Sequence, residues 1–273
     1  MRLNVHHTTH YDYDSTPSYM VQRLHLKPSD FATQRCVNWA ISAPGIDGAL
    51  CYRDGFGNWV HIVTSAPKEL SPEVSLSIVA EGQVETEDAS GLVRGLAGSV
   101  PESVFLRKTP FTTIDSNLLD FVGTLAHSRS KLDQAHIIMQ AVHGAVAYEL
   151  GTSDALTTAA QAFAKGSGVC QDHAHIMLAV ARSLGIPARY VTGYLVTGQG
   201  ASSTAAHAWA ELHIADLGWV GFDAANGQCP TDLYVRVSAG LDSSAVAPVR
   251  GSRRGAEGRE HLRVEVRVEI SQQ

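Results

Sequence analysis

Cysteine is scarce in this chain: four residues in 273, Cys36, Cys51, Cys170 and Cys229, with no CxxC pair among them. That spacing excludes both a zinc ribbon and a disulfide framework. Charge is thin as well. Asp, Glu, Lys and Arg make up 18% of the chain, against ~25% in an average globular protein. The balance of 21 Lys+Arg to 27 Asp+Glu gives a net charge of -6, which leaves no basic excess to draw the chain to phosphate backbones or anionic membranes. No stretch approaches the ~18 apolar residues of a membrane span, and Met1–His7 lacks the apolar centre of a secretory leader. Nucleic acid and membrane are therefore not expected partners, and the expected compartment is the cytoplasm. What is plentiful is hydrophobic surface, 44% of residues. At ~150 residues per domain, 273 residues make one large domain or two ordinary ones, with a core that needs no staples.

The first 95 residues read as strands and turns. Alternation at Leu3 and Val5, at Val37, Trp39 and Ile41, and at Val74, Leu76 and Ile78 is separated by the turn sequences Pro44–Gly48 and Asp54–Asn58. An antiparallel sandwich or barrel over 1–95 is expected. The glycine-bearing stretch Gly91–Gly98 leads into helical periods at Ser116–Val122 and from Leu132 through Val142. A third helix starts near Cys170, carries Ile176, Met177, Val180, Ala181 and Leu184 on one face, and stops at Gly185-Ile186-Pro187. Three strands follow, at about 188–196, 206–214 and 219–223, completing a second domain over 96–238. Residues 239–261, with Arg250, Arg253, Arg254 and Arg259 among glycines and serines, read as solvated loop. The tail alternates Leu262, Val264, Val266, Val268 and Ile270 against charged residues, a half-buried strand expected to return to the first domain.

Chemistry concentrates around Cys170. It follows Gly166-Ser167-Gly168-Val169 and opens the third helix, where unpaired N–H groups and the positive end of the helix dipole favour a thiolate. A thiolate nucleophile needs a base, and His207 lies on a strand 37 residues downstream. Folding the following hairpin about residue 215 places Asp223 opposite His207, within the ~5–8 Å of cross-strand neighbours, where a carboxylate can orient the imidazole. Other histidines carry less. His173 and His175 stand 3 and 5 positions beyond Cys170 on the same helix, so the three cannot share one metal. His6, His7 and His10 read as strand-surface residues. Asp172 reads as a cap of the helix start and His175 as a core residue. Glu211, four strand positions beyond His207, is too far to touch it. Trp209 and Trp219 are candidates for the core or for a substrate wall.

The three segments Gly168-Val169-Cys170-Gln171-Asp172, Ala206-His207-Ala208-Trp209 and Gly218-Trp219-Val220-Gly221-Phe222-Asp223 resemble, in order and spacing, the motifs of the bacterial transglutaminase-like superfamily. The opening sheet domain and the ending Ala247-Pro248-Val249-Arg250-Gly251 resemble that group's flanks. The resemblance implies an α+β, papain-like core, with a nucleophile helix against an antiparallel sheet, and a Cys170–His207–Asp223 triad that attacks a peptide or protein amide through a thioester. Water is the expected acceptor, giving a cysteine peptidase or amidase. An amine acceptor would make a transglutaminase, and an intact but silent triad would leave a binding scaffold. Two departures stand out: His173 where an aromatic often follows the Asp, and Ala224-Ala225-Asn226 where Pro-Thr-Asn is usual. No metal or cofactor is expected, and no acidic calcium loop is recognisable. The Cys170 N–H is expected to donate to the oxyanion; the sequence names no second donor.

Overall fold

The computed structural model describes residues 1–15, 17–65, 75–197, 202–203, 206–255 and 259–271. Val74 of the predicted alternation and residues 256–258 of the arginine-bearing stretch lie outside them. The N-terminal half is built of β1 (Arg2–Tyr13), β2 (Tyr19–Leu24), β3 (Gln34–Ser42), β4 (Leu50–Arg53), β5 (Trp59–Ser65) and β6 (Ser75–Thr86). A short β7 (Leu92–Val93) leads to α1 (Ser116–Thr124), α2 (Lys131–Ala145), β8 (Ala147–Tyr148), α3 (Ala159–Lys165), β9 (Ser167–Gly168) and α4 (Cys170–Ser183). Then come β10 (Ala188–Leu195), β11 (Ser202–Ser203), β12 (His207–Ile214), β13 (Gly218–Phe222), β14 (Tyr234–Gly240), β15 (Val249–Arg254) and β16 (Glu260–Ile270).

Every pairing among the three larger sheets is antiparallel, and the fold class is α+β. Two sheets, in the orders β11-β16-β1-β6-β3 and β15-β2-β5-β4, face each other over Tyr11, Met20, Leu24, Val63, Leu76 and Ile78. The third, β14-β10-β12-β13-β7, packs one face on α4, with Ala208, Ala210, Leu212, Val220 and Phe222 meeting Ile176, Met177 and Val180. Burial of such apolar faces, at ~25 cal/mol per Å², drives each layer together. Strand β1 serves both halves. Its residues alternate with period 2, and on one face Tyr11 and Tyr13 enter the sandwich core while Leu3 and Val5 pack on Tyr194, Val235 and Val237 of the third sheet.

Several sequence expectations change here. The stretch 239–261 is not irregular loop throughout: β15 pairs with β2 from Val249↔Leu24 to Arg254↔Tyr19, so Arg250, Arg253 and Arg254 ride on a strand, while Arg259 just precedes β16. Gly251 and Ser252 hide the period, because neither face is uniformly apolar: Val249, Gly251 and Arg253 share one and Arg250, Ser252 and Arg254 the other. The tail strand β16 pairs with β1 along its length, but Leu262 and Ile270 are exposed and only Val266 and Val268 are buried. A bulge between Cys36 and Asn38 breaks the Val37–Ile41 alternation and leaves Val37 outside. His7 is no surface residue: it is buried, and its Nδ1 lies 2.9 Å from the Tyr194 hydroxyl, across the seam between the halves.

Two carboxamides of the N-terminal half close the free edge of β14. Gln34 Nε2 donates to the Arg236 carbonyl at 2.8 Å while Arg236 N–H donates to Gln34 Oε1 at 2.7 Å. Asn58 does the same at Ala239, both bonds 2.8 Å. An edge strand carries unpaired N–H and C=O groups, and here two side chains act as the missing neighbour.

Candidate active site

The nucleophile turn is shaped by two glycines. Gly166 ends α3 at φ 72°, in the left-handed region that a Cβ disfavours, and its N–H caps the Ala162 and Phe163 carbonyls. At Gly168 a Cβ would sit 2.7 Å from both Cβ and Oδ2 of Asp172. Only glycine lets the Asp172 carboxylate fold back to accept the Val169 N–H at 2.8 Å and the Ser153 hydroxyl at 2.5 Å. Asp172 is thus the cap the sequence suggested, and it fixes the start of α4 from which Cys170 projects, partly exposed. The positive end of the helix dipole lies at this first turn, which favours a thiolate there.

His207 opens β12 and Asp223 follows β13 directly. The hairpin between them closes through a three-residue loop, Ala215 to Leu217, with Asp216 at φ 69°, and pairs Ala210 with Phe222. Its centre is therefore residue 216, not 215. Asp223 lies diagonal to His207 rather than opposite it, and because this changes the partner by two residues the side chains keep the same side of the ladder. His207 Nε2 meets Asp223 Oδ2 at 2.7 Å.

Asp223 is fully buried and accepts from five donors: on Oδ2 His207, Asn226 Nδ2 at 2.7 Å and the Tyr234 hydroxyl at 2.8 Å, and on Oδ1 the N–H groups of Ala225 at 3.0 Å and Asn226 at 3.3 Å. Burial alone would raise its pKa, but the bonds from His207, Asn226 and Tyr234 and the His207 charge hold it below the usual carboxylate range. The turn carrying these donors is closed by Asp223 N–H to the Gln228 carbonyl at 2.8 Å. From α2, Gln140 Nε2 donates to the Gly227 carbonyl at 2.8 Å.

His207 feels the reverse balance. Burial pulls its pKa down, yet hydrogen bonds to Asp223 and Cys170 and the charges of both lift it to about 10. With Nε2 given to Asp223, Nδ1 is the nitrogen left for the Cys170 sulfur. An imidazole held between a carboxylate and a thiol can take the thiol proton, stay charged, and later return a proton to a leaving group. That is the chemistry the arrangement allows.

The tryptophans serve other ends. Trp209 is 3% exposed and stacks beneath His207 with ring centroids 6.1 Å apart, so it floors the imidazole. Gly193 leaves room for it, since a Cβ there would lie 2.7 Å from Cη2 of the indole. Trp219 is not brought to the cluster. It pairs with His213 and lies under the Arg189 guanidinium, 4.0 Å from the ring centre, with Phe105 at its edge. Glu211 is bound to Arg189 Nε at 2.6 Å and Arg236 Nε at 2.7 Å, away from His207 as its spacing required. His173 is buried, its ring nitrogens 2.9 and 3.0 Å from the Val169 and Val146 carbonyls, where it braces the nucleophile turn. Among the described residues no group of three His, Cys, Asp or Glu side chains could hold a metal ion. No helix among them is long and apolar enough to cross a membrane. Two contributors escaped the sequence reading. Asn226 was visible only as part of a departure from a motif, and Tyr234 carried no signal because it lies eleven residues beyond Asp223 on another strand.

A thiol at a helix start, an imidazole at the head of a strand and a carboxylate after the next strand are thus brought together on an α+β core. Residues 121–224 match the transglutaminase-like superfamily, and residues 3–85 match the bacterial transglutaminase-like N-terminal region. It is similar to an uncharacterized protein of Mycobacterium leprae, 27% identical over 93% of this chain and 95% of that one. An uncharacterized protein of Mycobacterium tuberculosis is 26% identical over 92% of this chain and 87% of that one. The crystal structure of a candidate cysteine protease from Cytophaga hutchinsonii has the same fold, with a TM-score of 0.72 at 21% identity over 97% of this chain and 90% of that one.

Proposed function

We propose that the protein is a cysteine-dependent hydrolase of peptide or isopeptide amides. The observation that carries this reading is the double engagement of His207, with Asp223 on Nε2 and the Cys170 sulfur on its other side. Cys170 as thiolate attacks the amide carbon, forming a C–S bond. His207, as imidazolium, gives its proton to the departing amine as the C–N bond breaks. Water, deprotonated by His207, then attacks the thioester, releasing a carboxylic acid and restoring the thiolate. Asp223 keeps the imidazole in place and stays ionised throughout. The backbone N–H of Cys170 is one donor to the oxyanion formed in both steps. None of these steps calls for a metal or cofactor. A thiolate enzyme of this kind suits the reducing cytoplasm, where the reading places it.

Competition between water and an amine tests it. With glutamine- and lysine-isopeptide-containing peptide pools and a millimolar labelled primary amine, the expected product is free carboxylate, absent with Cys170→Ala. Predominant coupling to the amine would replace hydrolysis by glutaminyl transfer. No turnover of any amide, with Cys170 accessible to small alkylating agents, would leave a binding scaffold.

A further inference from the structure

Tyr234 belongs to none of the three motif segments, yet it reaches the centre of the site. It leads β14, the edge strand of the third sheet, and is 4% exposed. Its hydroxyl accepts from Gln228 Nε2 at 2.9 Å and donates to Asp223 Oδ2 at 2.8 Å. Because Gln228 offers a proton to the phenol oxygen, the phenol's own proton is directed at the carboxylate. The ring is equally constrained: it stands edge-on to Trp209 at 5.5 Å and tilts against His207 at 5.9 Å. Two residues further along β14, Arg236 is clasped by Gln34 through its main chain and by Glu211 through its side chain.

We propose that Tyr234 is a positioning residue: its hydroxyl fixes the Asp223 carboxylate in the orientation that holds His207 toward Cys170, and the Gln34 clasp of the N-terminal half fixes the strand that carries it. The inference rests on the amidase reading above. Three donors converge on Asp223 Oδ2, and a carboxylate free to rotate about χ2 could swing that oxygen away from the imidazole. Asn226 comes from the same turn as Asp223 and would move with it. Tyr234 comes from a different strand, so it supplies the outside reference point. The N-terminal half thereby has a task at the site: through Gln34 it seats β14.

The test needs no substrate. Iodoacetamide alkylation of Cys170, followed by mass spectrometry in a Cys51→Ser background, reports how well the imidazole supports the thiolate. The low-field proton resonance of the His207 ring N–H reports its bond to Asp223. Tyr234→Phe keeps the ring packing and removes only the hydroxyl. Alkylation near pH 7 is expected to slow about tenfold, the scale of one hydrogen bond to a charged group, and the resonance to broaden or vanish while the melting temperature stays close to wild type. Gln228→Leu, which frees the phenol proton, is expected to do the same to a smaller extent, and it carries the test should the Phe variant fold poorly. Wild-type alkylation and an unchanged resonance in either folded variant would overturn the inference. If His207→Ala alkylates as fast as wild type, the triad reading itself fails, a result distinct from failure of Tyr234 alone.

Discussion

The two halves of the molecule treat charge in opposite ways. In the N-terminal sandwich the arginine ion pairs with Glu85 are on the surface, where Arg2 and Arg35 both clasp it, and His6 faces Glu81 at 3.5 Å. In the core the arginine ion pairs are interior. Glu211 is wholly buried between Arg189 and Arg236. The buried Arg182 guanidinium donates to the Phe105, Ala188 and Leu241 carbonyls and to Thr112 Oγ1. Where the sandwich does bury polar side chains, three of them, His7, Gln34 and Asn58, point across the seam at Tyr194 and β14. Interior polar groups must be fully paired and so specify one arrangement. The core and the seam are where this protein needs a single geometry; the sandwich needs only to pack.

The largest effects should come from the site. Cys170→Ala should abolish amide turnover, and His207→Ala should reduce kcat by about 10³–10⁴. If the residues act as a unit, the double variant His207→Ala with Asp223→Ala should lose little more than His207→Ala alone. A loss equal to the product of the single losses would show that they work independently.

Next should come the contrast between buried and exposed charge. Glu211→Gln strands two buried guanidinium groups, and removing one partner of such a set costs about 3–5 kcal/mol, read as a drop in the urea midpoint. Burial pushes the Glu211 carboxyl up, but Arg189 and Arg236 hold it below the ordinary value, so it is ionised in the folded state at neutral pH. Glu85→Gln, on the exposed cluster, should leave the midpoint where it was. Equal shifts would erase the distinction drawn between the halves.

A smaller effect belongs to the seam. Gln34→Leu removes both bonds to Arg236 and leaves that N–H and carbonyl unpaired, at a cost of about 1–3 kcal/mol. Because the clasp seats Tyr234, alkylation of Cys170 should slow as well, whereas Val37→Ser, on the outer bulge of the same strand, should change neither.

How much of this the sequence announces varies with the kind of interaction. Cys170, His207 and Asp223 were legible because each lies in a segment whose local chemistry is distinctive: a glycine-bracketed helix start and a hairpin with short strands. The hairpin centre lies one residue beyond the expected 215, shifting every cross-strand partner by two, because Asp216 takes the left-handed conformation and Gly218 joins the ladder, which local propensity does not reveal. The opposed side was still right, since the error preserved parity. Tyr234, the Glu211 cluster and the Gln34 clasp were invisible, being pairings of residues 11 to 202 positions apart that only the tertiary fold creates. Trp209 was ambiguous from sequence for a related reason, since an indole beneath a histidine and one lining a channel have the same neighbours in the chain.

The pH dependence separates the site from the rest of the molecule in another way. The folded pKa of His207, raised to about 10 from an unfolded value of 6.5, makes its charged form stabilising. That contribution is complete below about pH 6.5 and is lost as pH rises through 10. Wild type should therefore lose stability across this window, and His207→Gln should lose less. Asp223, held low, contributes in full above its unfolded 3.8 and loses that contribution as the pH falls from there through its depressed folded value.

The central claim is that Cys170 carries the acyl group. Rapid acid quench of the enzyme turning over a peptide amide, followed by intact-mass and peptide mapping, measures this directly. The account predicts an adduct equal in mass to the acyl fragment, located on the Cys170 peptide, released by hydroxylamine as a thioester should be, and absent from Cys170→Ala. Turnover with the adduct on another residue, or turnover undiminished in Cys170→Ala, would contradict it.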